Sequence, residues 1–176
     1  MVESVESGAR VGVVVVGHGR TASALLEAAS GVVGAAALDG VVAIDAGAGQ
    51  TAELEARMHA AVATADAGAG VVLVADVFGS SPCTCGIRQA MGHRLAVLAG
   101  LNLAMLLKLA TLDRAALTPA EVAQACAESA RRAVAVQEPA AHKLPQTRGT
   151  LPETPPQTPP QTPPQTPPPH AREEPG

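Results

Sequence analysis

Apolar residues recur along the first three-quarters of the chain in two alternating rhythms. Short unbroken runs come first: Val11-Gly12-Val13-Val14-Val15-Val16, then residues 41–45, 70–75 and 95–99. Runs this short, rich in valine and closed by small residues, are the pattern of parallel strands buried on both faces. Between them the apolar positions fall at helical spacing. Residues 21–34 place Ala22, Leu25, Leu26, Ala29, Val32 and Val33 on one face, and Thr51 to about Ala65 does the same with Leu54, Met58, Ala61 and Val62. Residues 84–92 predict a short helix, and the apolar stretch Leu101 to Leu109 another, behind Asn102. Thr118-Pro119-Ala120-Glu121 carries an N-cap, a proline at the first helical position and a glutamate at the third, so a last helix is predicted to about Arg132. Strands alternating with helices predict an α/β fold: an open, mainly parallel four-stranded sheet with helices on both faces.

The rhythm stops near Gln137. Residues 138–176 hold a repeat, Thr154-Pro155-Pro156-Gln157 and onward to Thr166, with almost nothing to bury. At about 3.1 Å per residue such a segment reads as an extended spacer or disordered tail. The expected organisation is a leader at 1–9, a folded domain at 10–137 and the tail at 138–176.

Composition narrows the function classes. The chain of 176 residues has one phenylalanine and no tryptophan or tyrosine, which removes the stacking platform that single-stranded nucleic acids need. Twelve basic residues in a net charge of −4 give no footprint for duplexes either, so no nucleic-acid partner is expected. No apolar run approaches the roughly 18 residues of a spanning helix. The acidic start Met1-Val2-Glu3 lacks the basic and apolar regions of a signal peptide, so a cytoplasmic protein is expected. Three cysteines in a chain without a signal fit reduced thiols.

Chemistry concentrates at two strand ends. The first run closes on Gly17-His18-Gly19-Arg20, the third on Asp76-Val77-Phe78-Gly79-Ser80-Ser81-Pro82. Ligands of open parallel sheets collect at the carboxyl ends of strands, and right-handed crossovers put His18 and Asp76 on the same edge. A carboxylate on one imidazole nitrogen fixes the tautomer and leaves the other nitrogen free to attack. Gly19 allows close approach to the backbone. The helix after Arg20 would point its first amides at the same place, and the Gly79-Ser80-Ser81 turn adds amides and hydroxyls. This is a layout for placing a phosphoryl group on His18. Other signals are weaker. Cys83-x-Cys85 with Cys126 lacks the usual zinc spacing, and His93 does not complete it. Gly17-x-Gly19 and Gly47-x-Gly49 complete no nucleotide loop, which sets aside ATP as direct donor. Asp45 reads as a strand-end cap, His59 as surface, His142 and His170 as solvated tail residues, and Glu27 and Arg57 as solvated helix charges.

These segments, with Gly100-Leu101-Asn102-Leu103-Ala104-Met105-Leu106, make the chain resemble the enzyme IIA domain of the mannose class of the bacterial phosphoenolpyruvate-dependent sugar phosphotransferase system over about residues 11–135. The resemblance implies a phosphotransferase in which His18 accepts phosphate from the phosphocarrier HPr and passes it to a IIB component for sugar uptake. Asp76 would bond His18, and Ser81 with the amides of Gly79, Ser80 and Ser81 would hold the phosphoryl oxygens. It implies no metal or cofactor, contact with the membrane only through IIC and IID partners, and a homodimer exchanging a C-terminal antiparallel strand. Residues 132–137 fit that strand and also the end of the last helix. Ser80 replaces a glycine of the family pattern, Phe78 a common tryptophan, and Arg20 a small or apolar residue. Arg20 is a candidate phosphate ligand. Two alternatives share the fold: a regulatory phosphoprotein of an incomplete phosphotransferase system, and the phosphoryl-donor subunit of a dihydroxyacetone kinase.

Overall fold

The computed structural model describes residues 9–47 and 51–137. The leader up to residue 8, residues 48–50 of the Gly47–Gln50 loop, and the tail from 138 with His142 and His170 lie outside the described residues.

Four strands, β1 (Gly12–Gly17), β2 (Val41–Asp45), β3 (Val71–Ala75) and β4 (Leu95–Ala99), form one all-parallel sheet in the order β2-β1-β3-β4. The helices are α1 (Thr21–Val33), α2 (Ala52–Ala65), α3 (Ser81–Gln89), α4 (Leu103–Leu109) and α5 (Pro119–Arg132), with a 3-10 turn at Ala35–Leu38. Central strands β1 and β3 are buried at every position. Their side chains alternate between two cores. Val13, Val15, Val72 and Val74 pack with Ala22 and Ala29 of α1, Met105, Leu106 and Leu109 of α4, and Val122 and Cys126 of α5. Val14, Val16, Val71 and Leu73 pack with Leu54, Met58 and Val62 of α2 and Cys83 and Cys85 of α3. Burial on both faces is why these strands read as continuous valine runs rather than as alternations. Close packing needs small residues: a Cβ on Gly86 would lie 2.7 Å from Leu73 Cδ2, so this glycine lets α3 rest on β3.

Helix boundaries follow their caps. Gly34, at φ +84°, ends α1. Thr118 and Glu121 form the expected reciprocal capping box on α5, each side chain accepting the other's backbone N–H. Helix α3 differs from expectation. It begins at Ser81, three residues before the predicted start, because Ser80 accepts the Cys83 N–H and Pro82 sits in the first turn, where its missing N–H costs nothing. Asn102 caps α4, accepting the Met105 N–H at 3.1 Å. Helix α5 ends at Arg132. Residues 134–137 form no strand within this chain, and Val134 and Val136 are exposed.

Candidate active site

The strand order decides where a site can form. From β1 the chain crosses through α1 to β2 on one side, and α2 then returns it to β3 on the other side of β1. Helices α1 and α3 therefore leave the carboxyl ends of β1 and β3 toward opposite faces. The crevice between those ends is the switch point at which open α/β sheets bind ligands. His18 is the first residue after β1 and Asp76 the first after β3.

The two side chains meet there. Asp76 Oδ2 lies 2.9 Å from His18 Nδ1 and accepts the His18 backbone N–H at 2.7 Å, and Oδ1 accepts the Val77 N–H at 2.8 Å. Burial of Asp76 works to raise its pKa. The His18 backbone N–H, the His18 ring and the Val77 N–H outweigh it and hold the carboxyl below its ordinary range. An ionised carboxylate only accepts, so in the neutral ring Nδ1 carries the proton and Nε2 the lone pair. The Asp76 side chain is 12% exposed while the ring is 51% exposed. Solvent and partners thus reach the imidazole, and the carboxylate orients it from behind.

Neighbours that pattern reading did not single out complete the support. Thr21 donates both its N–H (3.0 Å) and its hydroxyl (2.7 Å) to the His18 carbonyl, fixing the backbone that carries the ring. A Cβ on Gly17 would lie 3.2 Å from Asp76 Oδ2 and 3.1 Å from Thr21 Cβ, so Gly17 is the space the carboxylate occupies. The signal was present as a glycine on each side of a histidine at a strand end. Gly19, at φ +54°, adopts a conformation other residues rarely take and donates its N–H to the Gly47 carbonyl at 3.2 Å.

The expected phosphate-binding residues fall into two groups. Gly79 takes φ +74° in an exposed turn, and among the described residues the N–H groups of Gly79 and Ser81 find no acceptor. Ser81 is exposed at the first position of α3. The Ser80 hydroxyl is already engaged: it donates to the Val77 carbonyl at 2.8 Å and accepts the Cys83 N–H at 3.4 Å. Arg20 is exposed at the N-cap position of α1 and makes no capping bond. The first amides of α1 are less open than expected. That of Thr21 is taken by the His18 carbonyl and that of Ser23 by Asp45 Oδ1 at 3.0 Å. Asp45, at the end of β2, caps α1 across the sheet. Burial pushes its carboxyl up, but the hydroxyl and N–H of Ser23, helped by the charges of Arg20 and Arg57, bring it below the ordinary range.

The third family-like segment supports the site from behind. Leu101 donates its N–H to the Ala75 carbonyl at 3.1 Å, continuing the ladder past β3. Cys83, Cys85 and Cys126 are buried and unpaired. Burial pushes the Cys126 thiol up to about 11 and raises that of Cys85. Among the described residues no three His, Cys, Asp or Glu side chains group to hold a metal. His59 is exposed, and His93 pairs with Asp66 at the opposite edge of the sheet.

The fold and site together define an α/β protein with a two-core parallel sheet and a half-exposed histidine held by a carboxylate at its switch point. Residues 12–127 match the family model described as PTS system fructose IIA component, and the chain belongs to that phosphotransferase family. Comparison with curated proteins finds no match. Among solved structures, the chain is similar to a mannose/sorbose specific IIA subunit of the phosphotransferase system from Enterococcus faecalis (25% identity, 74% of this chain and 97% of that one, TM-score 0.63). It is also similar in fold to the component EIIA from Streptococcus agalactiae (20% identity, 72% and 96%, TM-score 0.61). A third likeness is the PTS IIA protein associated with the fucose utilization operon from Streptococcus pneumoniae (23% identity, 69% and 92%, TM-score 0.58). No helix among the described residues is long and apolar enough to cross a membrane.

Proposed function

We propose that the protein is a cytoplasmic phosphocarrier: His18 accepts a phosphoryl group from phospho-HPr and gives it to a IIB component for sugar uptake. One observation carries this reading. Asp76 occupies Nδ1 of His18, so the nucleophilic lone pair is left on Nε2 of a half-exposed ring. In the transfer the Nε2 lone pair forms a bond to phosphorus as the bond from phosphorus to the donor breaks. Asp76 stabilises the charge that the ring gains. Transfer of this kind depends mainly on positioning and charge stabilisation. The open N–H groups of Gly79 and Ser81, the Ser81 hydroxyl and the Arg20 guanidinium are the groups for the phosphoryl oxygens, and Gly19 leaves the approach clear. Exposed Val77 and Phe78, in the turn that follows Asp76, offer the apolar contact that a protein partner requires.

The homodimer belongs to the same proposal. Among the described residues strand β4 is an edge of the sheet with Val97 partly exposed, and the apolar segment at Val134–Val136 pairs with no strand. Pairing it with a second copy would cover both. The test of the carrier reading is intact mass after incubation with enzyme I, HPr and phosphoenolpyruvate. One phosphoryl group is expected on the native chain and none on His18→Ala. A labelled His18→Ala protein overturns the assignment.

A further inference from the structure

A second concentration of charge lies at the other end of β1. Gly12 and Gly17 are the two ends of that strand, about 17 Å apart by strand rise. Two arginines meet at the Gly12 end. Arg114, in the connection from α4 to α5, is only 7% exposed. It donates Nη1 to the Val11 carbonyl (3.3 Å) and Nη2 to the Asp39 carbonyl (2.6 Å). Arg10 reaches Asp39 Oδ2 with Nη2 at 2.9 Å. A Cβ on Gly40 would lie 2.5 Å from that nitrogen, and Gly40 has φ +69°, so only glycine lets the Arg10 guanidinium lie against this turn.

The bonds of Arg114 account for its place as a tie between β1 and the turn before β2. They do not account for a second guanidinium beside it. Burial, with like charge from Arg10 added to it, pushes the Arg114 pKa down, and Asp39 offsets this only partly. The Asp39 side chain is 75% exposed, so its ion pair with Arg10 is weak and open to exchange. Both arginines line a cavity of about 320 Å³ together with Gly12, Gly40, Val42 and Thr64. Among the described residues no carboxylate lines it. A neighbouring cavity of about 300 Å³ shares the two arginines but includes Asp113, which counters their charge. Guanidinium forks match phosphate oxygens geometrically. The cavity also takes in Thr64 and Ala65, the last residues of α2, where the carbonyl end of a helix disfavours bare negative charge and welcomes hydroxyl donors.

We propose that this cavity is a second ligand site, remote from His18, that takes a small phosphate monoester carrying hydroxyl groups: phosphate on Arg10 and Arg114, hydroxyls toward Thr64 and the end of α2. Its volume suits a ligand of that size. The ligand would pin the start of β1, the turn before β2 and the end of α2 together.

The test is a titration of the full chain, and of His18→Ala alongside it, followed by backbone amide resonances at constant ionic strength. The probes are glucose 6-phosphate, inorganic phosphate and glucose. Glucose 6-phosphate is expected to shift Gly12, Gly40 and Thr64 saturably in both proteins, inorganic phosphate to do so more weakly, and glucose not at all. Arg10→Gln, which leaves the Arg114 bonds in place, is expected to weaken binding by about tenfold or more. Thr64→Val is expected to weaken the sugar phosphate more than inorganic phosphate. The proposal is overturned if no saturable shift occurs at these amides, if shifts are confined to residues 76–81, or if Arg10→Gln with an unchanged spectrum binds as well as the native chain. Equal affinity for inorganic phosphate overturns the monoester assignment.

Discussion

Among the described residues two histidine–aspartate pairs are built almost alike at opposite edges of one sheet. At the carboxyl edge His18 Nδ1 meets Asp76 Oδ2 at 2.9 Å. At the amino edge His93 Nδ1 meets Asp66 Oδ2 at 2.7 Å, and Asp66 Oδ1 accepts the N–H groups of Gly68 and Gly70. In each, the carboxylate is anchored by backbone amides and held below its ordinary acidity range. The surroundings differ. His18 is 51% exposed beside open turn amides, whereas His93 is 28% exposed between two turns that it fastens together. Pairing alone therefore does not make a site. The topological edge and the unclaimed donors around the ring separate a candidate nucleophile from a structural clasp.

Substitutions sharpen that contrast, beginning with the histidines. His18→Ala is expected to abolish phosphorylation with the thermal midpoint little changed. His93→Ala is expected to keep phosphorylation and lose about 1–2 kcal/mol of stability in denaturant titration, the worth of a hydrogen bond to a charged group. Asp76→Asn offers Nδ1 an amide donor and so favours the wrong tautomer. The phosphorylation rate measured by rapid-quench mass spectrometry should fall on the order of 10²–10⁴-fold. Gly17→Ala places a methyl against Asp76 Oδ2 and Thr21. It should cost about 1–3 kcal/mol and slow phosphorylation together, because the carboxylate must shift to make room.

Acid separates the pairs by stability rather than by activity. The His93 ring lowers the Asp66 pKa more than burial raises it, with Gly68 and Gly70 assisting. A depressed carboxyl contributes stability that is fully present above the unfolded carboxylate range and is lost as pH falls through the folded value. Asp66→Asn should therefore flatten the acid limb of a stability–pH profile while leaving phosphorylation intact. A limb as steep as that of the native chain would show that Asp66 is not its source. The smallest effect separates adjacent serines. Ser80→Ala should cost about 1 kcal/mol through the lost α3 cap with phosphorylation retained. Ser81→Ala should slow phosphorylation with stability retained.

Much of this was legible in the residues. Valine runs at 11–16 and 71–75 announced strands with both faces covered, and their terminal His18 and Asp76 announced the edge where chemistry gathers. What stayed hidden depended on competition for single atoms. Ser80 and Ser81 look interchangeable in sequence, and only the path of the turn gives one hydroxyl to Val77 and Cys83. The first turn of α1 looks like an anion cradle until Asp45, from another strand, claims the Ser23 amide. The role of Gly17 is a matter of volume that appears when a residue 59 positions later folds against it.

Phe78, the one aromatic ring outside five histidines, follows Asp76 by two residues and is 78% exposed. The downfield proton spectrum of the protein thus holds a single benzyl spin system, and it belongs to the turn that follows Asp76. Broadening or displacement of that one signal on adding HPr or a IIB protein would report docking at atomic resolution, without dye, tag or mutation.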